Sequence, residues 1–158
     1  MSELIFSILS VVVVANLILG LIIFSRGYKI ISNVIFGIIS LISSVWGVAI
    51  IGFYSQYSTN YNWIHITHVS ALLIPFFFII FSLNFPQENN SIKIPILFTS
   101  IPCLILIPLI LFTDKIIGST TGLTYEINSG YFVYCFIVMS YFIISFLFQF
   151  LVYSFFHI

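Results

Sequence analysis

Apolar residues run along this chain in five long, almost unbroken blocks, and the polar residues gather between them. The blocks are Leu4–Phe24, Ile30–Phe53, Ile64–Leu83, Ile94–Thr113 and Tyr131–His157. Crossing about 30 Å of hydrocarbon takes roughly 20 helical residues, and each block reaches that length. Lipid offers no partners to unpaired backbone N–H and C=O groups, so each block is expected to be a helix. A β-barrel would instead alternate apolar and polar positions over about ten residues, which these blocks do not do. The expectation is an all-α integral membrane bundle of five spans, forming one transmembrane domain over residues 1–158.

Composition supports the same reading. The chain is 61% hydrophobic and 5% charged, against about 25% charged for an ordinary soluble domain. Four basic and four acidic residues cancel. No basic patch is available to hold a nucleic acid backbone, so nucleic acid is not expected as a partner. Cys103 and Cys135 fall inside apolar blocks and read as small hydrophobes rather than a disulfide pair. Glu3 stands ahead of the first block where a signal peptide would carry basic residues, and no Ala-x-Ala pattern follows it.

The charges that remain give a direction. Arg26 and Lys29 follow the first block, and Lys93 precedes the fourth, while Lys115 follows the fourth. The positive-inside rule then sets the N-terminus outside and, with five spans, the C-terminus in the cytoplasm. The two outer connections carry most of the polar residues: "YSQYSTNYNW" (Tyr54–Trp63) and "DKIIGSTTGLTYEINSG" (Asp114–Gly130). Tyr54, Tyr57, Tyr61 and Trp63 fall where an interfacial aromatic belt is expected. The Asn89-Asn90-Ser91 sequon lies in an inner loop, so no glycosylation follows from it.

Candidate chemistry centres on "NWIHITHVSALLIPFFFIIFSLNFP" (Asn62–Pro86), where His65 and His68 sit one turn apart at the outer start of the third span. Their spacing places them on neighbouring helix faces. A metal site needs three or four ligands. Asp114 and Glu126 are the acidic residues of the outer loop, and His157 is at the other face, so neither a metal nor a haem is expected. A proton-sensing role stays open, since imidazole titrates near pH 6.5. So does the plainer reading that amphipathic rings tolerate the interface. Asn16 lies midway along the first span and calls for a partner, as helix–helix glue or in a ligand pocket. Ser40, Ser43, Ser44 and Gly47 form a small-residue stripe suited to close helix packing, with Trp46 beside it. Pro75, Pro102 and Pro108 remove backbone donors inside helices and invite kinks or hinges, whereas Pro95 near a helix start is cheap. Acidic and basic residues are missing from mid-span positions, and no nucleophile–base pair, HExxH or P-loop occurs. Neither enzymatic activity nor a cofactor is expected.

The order of landmarks goes further. "NLILGLIIFSRGYKIISN" closes the first span, "SSVWGVAI" places a tryptophan in the second, and "NSGYFVYCFIVMSYF" opens the fifth. Together with the third span, in which His68, Ala71, Pro75, Phe77 and Phe81 match a polar start, small residue, proline and aromatic end, this resembles the N-terminal seven-transmembrane sensor region of bacterial histidine kinases. The resemblance covers nearly the whole chain, with five spans in place of seven, and His157 does not resemble a phosphoacceptor box. It implies the front of a longer sensor kinase or a relative without the kinase. The functional expectation is therefore a multi-pass sensory module in a prokaryotic cytoplasmic membrane. It would pass an outer-face or membrane signal to a cytoplasmic signalling protein or domain, as a homodimer or otherwise. Asn16, Trp63, His65 and His68 are the expected ligand contacts. The alternative is a small-molecule permease or an accessory subunit of a membrane complex.

Overall fold

The computed structural model describes residues 3–27, 29–55, 60–84, 93–121 and 124–156. Tyr57, the sequon at 89–91 and His157 lie outside them, as do the side chains of Tyr61 and Pro95. Five helices follow in order: α1 (Glu3–Gly27), α2 (Ile31–Ser55), α3 (Asn60–Asn84), α4 (Lys93–Phe112) and α5 (Gly130–Phe156). Among the described residues, four helices, α1, α2, α3 and α5, are long and apolar enough to cross a membrane. A 25-residue helix such as α2 extends for about 37 Å. α4 is the shortest of the five, at 20 residues.

α1 and α3 overrun the blocks read from sequence at both ends, and α2 at its C-terminal end, because hydropathy marks only the part that would sit in hydrocarbon. Backbone hydrogen bonding carries each helix on into its polar flanks. The consequence is largest in α3, which begins at Asn60 rather than at Ile64, so His65 and His68 lie in its second and third turns.

The connection after α4 is not an irregular loop. It forms an antiparallel hairpin, β1 (Ile117–Thr121) with β2 (Thr124–Ile127), pairing Ile117 with Ile127 and Thr121 with Thr124. A register irregularity falls between Ile117 and Thr120. The ends are tied by Asn128 N–H to the Ile116 carbonyl (3.4 Å) and Gly130 N–H to the Lys115 carbonyl (3.2 Å). The Asn128 side-chain amide also donates to the Asp114 carbonyl.

α3 is the centre of the bundle: it packs against α2, α4, α5 and strand β1. The main core runs through Phe53, Ile64, Leu72, Ile79, Leu106, Ile110, Tyr134 and Tyr141, and the hairpin seats Ile116 and Ile117 into it. α1 packs chiefly on α2, and within α1 Gly20 is the buried residue. Their contact runs antiparallel, with Gly20 against Leu41 and Gly47 against Val13. α2 and α3 are antiparallel too, with Gly52 against Trp63 and Phe36 against Phe81. α3 and α5 run parallel, with Tyr134 at His68 and Tyr141 at Phe76. One end of the bundle therefore gathers the α1 start, the α2–α3 connection and the hairpin, and the other gathers Arg26, Lys29 and the α4 start.

Candidate functional site

The chemistry-bearing side chains collect along a polar seam on the inner face of α5. Tyr131, Tyr134, Val138, Tyr141 and Ser145 recur at spacings of three and four residues, which brings them onto one helix stripe. Tyr134, Tyr141 and Ser145 are buried. A phenol hydroxyl buried among helices has to find an acceptor, and two of these tyrosines find one on a neighbouring helix backbone. Tyr134 donates to the His68 carbonyl on α3 (3.0 Å). Tyr141 donates to the Thr99 carbonyl on α4 (2.5 Å), and the Cys103 thiol approaches the same hydroxyl at 3.6 Å.

His68 sits at the hairpin end of this seam. Its imidazole meets the Tyr131 ring edge-on, with centroids 5.7 Å apart, and the Tyr134 ring at 5.5 Å. Nδ1 lies 2.8 Å from the Ile64 carbonyl. A carbonyl only accepts, so Nδ1 carries a proton. His65, one turn earlier, is 3% exposed and His68 7%. Neither imidazole is spread at an open interface; both are packed within the bundle beneath its hairpin end.

Trp63 is half-buried, its indole laid against Gly52 of α2. Trp63, His65 and His68 thus share one end of α3. Asn16 belongs elsewhere: it is half-buried on α1, one turn from Val13, whose carbonyl accepts the Ser44 hydroxyl at 3.0 Å. The residues read as ligand contacts are therefore not brought into one pocket: Trp63 meets α2, His68 meets α5, and Asn16 lies on α1.

On α2, Ser40, Ser44 and Gly47 are buried and Ser43 is half-buried. Trp46 is 37% exposed. Pro75 is almost fully buried within a continuous α3, while Pro102 is half-buried and Pro108 exposed on α4. Cys103 and Cys135 are both free thiols. Among the described residues, no three His, Cys, Asp or Glu side chains gather to hold a metal ion.

The tyrosine seam escapes a reading based on hydropathy, because tyrosine counts as apolar inside a long block. The three-and-four spacing of Tyr131, Tyr134 and Tyr141 is the signal that exposes it. No family model matches this chain, and neither a curated protein nor a solved structure matches it.

Proposed function

We propose that the chain is a five-span sensory input module of a prokaryotic cytoplasmic membrane, with the N-terminus outside and the C-terminus in the cytoplasm. A stimulus at the hairpin end biases the packing of α3 against α5, and a cytoplasmic signalling partner reads the change. Trp63, His65 and His68 lie where the stimulus acts, and Asn16 serves the separate α1–α2 contact. The resemblance to histidine-kinase sensor regions gives this reading its direction.

One observation carries it. The hairpin residues Ile116 and Ile117 are 1% and 0% exposed and insert into the same core as Ile64 and Tyr134. A polar connection at one end is thereby packed onto the helix that meets α2, α4 and α5. A rearrangement there has α3 as its path, as a shift between two packings rather than a continuous deformation.

The test uses spin labels at Ser25 and Ser154, near the ends of α1 and α5 remote from the hairpin. The protein carries Cys103→Ala and Cys135→Ala and is held in lipid nanodiscs. Ile117→Asp unseats the hairpin, and His68→Ala removes the ring on which Tyr131 and Tyr134 pack. Both are expected to shift the label-to-label distance distribution with helicity unchanged. An unmoved distribution in both variants, with helicity retained, would remove the coupling on which the proposal depends. Solute flux through proteoliposomes would replace the reading with a permease.

A further inference from the structure

Small residues hold α1 and α2 together over most of their length and then give way to large ones. Gly20, Gly37, Ser44 and Gly47 let the two helices approach closely, down to Gly47 against Val13. Towards the hairpin end, the next α2 positions on that side are Ile50 and Tyr54. Their bulk keeps the helices apart and leaves a groove of about 470 Å³, walled by Ile5, Ile8, Leu9 and Val12 of α1. A second cavity of about 430 Å³ adjoins it at Tyr54 and is lined by Glu3, Phe6, Ser7 and Ser55 as well. Each volume falls within the roughly 300–1,000 Å³ of small-ligand sites.

The two cavities differ in chemistry. The inner groove is aliphatic, with one phenol at its edge. Of the described residues that line the mouth, Glu3 carries a formal charge and Ser7, Tyr54 and Ser55 carry hydroxyls beside the Phe6 ring. The Ser55 hydroxyl already donates into its own helix, to Ile51 (2.8 Å) and Gly52 (3.2 Å) carbonyls, so what it offers outward is oxygen lone pairs. The outer faces of α1 are exposed around the groove: Leu4, Ile8 and Val11 are each more than half exposed. In a bilayer the groove therefore opens to lipid at the level where headgroups begin.

We propose that this groove is a binding site for a phospholipid with a primary-ammonium headgroup. One acyl chain lies along Ile5–Val12, and the ammonium sits at Glu3 among the hydroxyls of Ser7, Tyr54 and Ser55. Charge complementarity selects the occupant. An ammonium supplies N–H donors to the Glu3 carboxylate and to hydroxyl oxygens beside it, a quaternary choline supplies none, and a headgroup with only a phosphate brings negative charge towards Glu3.

Native mass spectrometry of the full chain, released from mild detergent with equimolar dioleoyl phosphatidylethanolamine, phosphatidylcholine and phosphatidylglycerol, tests the site. Retention is expected in that order, and Glu3→Gln is expected to cut the ethanolamine preference by about tenfold, the weight of one charge-assisted hydrogen bond. Equal retention of the three lipids, or a preference untouched by Glu3→Gln, overturns headgroup recognition. A phosphatidylethanolamine with a photoreactive acyl chain gives a second reading that needs no variant. Labelling within residues 5–12 of α1 or at Ile50 and Tyr54 of α2 supports the groove, and labelling confined to α5 overturns it.

Discussion

At Gly52 a methyl group would lie 2.5 Å from Cδ2 of Trp63, and at Gly47 2.4 Å from Cγ2 of Val13. The distances are alike but the neighbours are not. Val13 has a single stiff torsion, and turning it off its rotamer costs about 0.5–1.5 kcal/mol. Replacing glycine by alanine inside a helix returns roughly 0.5–1 kcal/mol, so the two effects nearly cancel at Gly47. At Gly52 the obstacle is an indole with three ring atoms within 2.8 Å of the new carbon. Overpacking of that kind costs about 1–3 kcal/mol and outweighs the helix gain. Gly52→Ala is expected to destabilise the protein by about 1–2 kcal/mol, and Gly47→Ala by less than about 0.5 kcal/mol, in an SDS titration followed by circular dichroism. Adding Trp63→Leu to Gly52→Ala should recover part of the loss. Equal effects of the two alanines would mean that the indole yields as readily as a valine methyl.

At the scale of single elements, α4 and α5 share one turn of backbone. Pro102 has no N–H for the Phe98 carbonyl, and its ring crowds that turn of α4. The Tyr141 hydroxyl enters the same turn, donating to Thr99 and lying beside Cys103. Neighbouring helices commonly re-satisfy backbone loosened by proline in a membrane span. Tyr141→Phe is expected to cost about 0.5–1.5 kcal/mol, within the range of interhelical hydrogen bonds in bilayers. Pro102→Ala restores a helical donor and tightens the turn that Tyr141 occupies, so the two changes should not add. A double-mutant cycle by SDS titration is expected to show coupling of at least about 0.5 kcal/mol, and additive effects would separate the proline from the tyrosine. This element also shows where the sequence stops being readable. Long apolar blocks announce all five helices, because lipid leaves a hydrophobic run no alternative to a helix. The partner of Tyr141 is a main-chain carbonyl 42 residues away, and no local pattern encodes it. The hairpin is an intermediate case. Ile117–Thr121 and Thr124–Ile127 are rich in β-branched and aromatic residues, a strand signal, yet they are too short to stand out within a polar connection. The burial of Ile116 and Ile117 comes from packing onto α3, not from the strands' own propensity. Among the candidate ligand residues, sequence spacing placed His65 and His68 on neighbouring faces, but the burial of His68 comes from Tyr131 and Tyr134 of α5, which no local pattern in α3 encodes.

For the molecule as a whole, the two ends of the bundle differ in charge. Arg26, Lys29 and the start of α4 at Lys93 gather at one end, while Glu3, Asp114, Lys115 and Glu126 gather at the hairpin end. Basic residues in short connections resist translocation far more than acidic ones favour it. Three basic residues at the first end against one at the second favour a cytoplasmic location for the first. In the proposed orientation the hairpin, the Trp63 end of α3 and the mouth of the α1–α2 groove face outward together. Single cysteines at the exposed positions Glu126 and Ser25, in a background carrying Cys103→Ala and Cys135→Ala, test the arrangement in intact cells. Glu126→Cys is expected to react with a membrane-impermeant maleimide at once, and Ser25→Cys only after permeabilisation. The reverse pattern would put the hairpin in the cytoplasm. It would leave the packing of α3 unchanged and turn the sensory proposal around, making the hairpin the surface that meets a signalling partner and the basic end the one that faces outside.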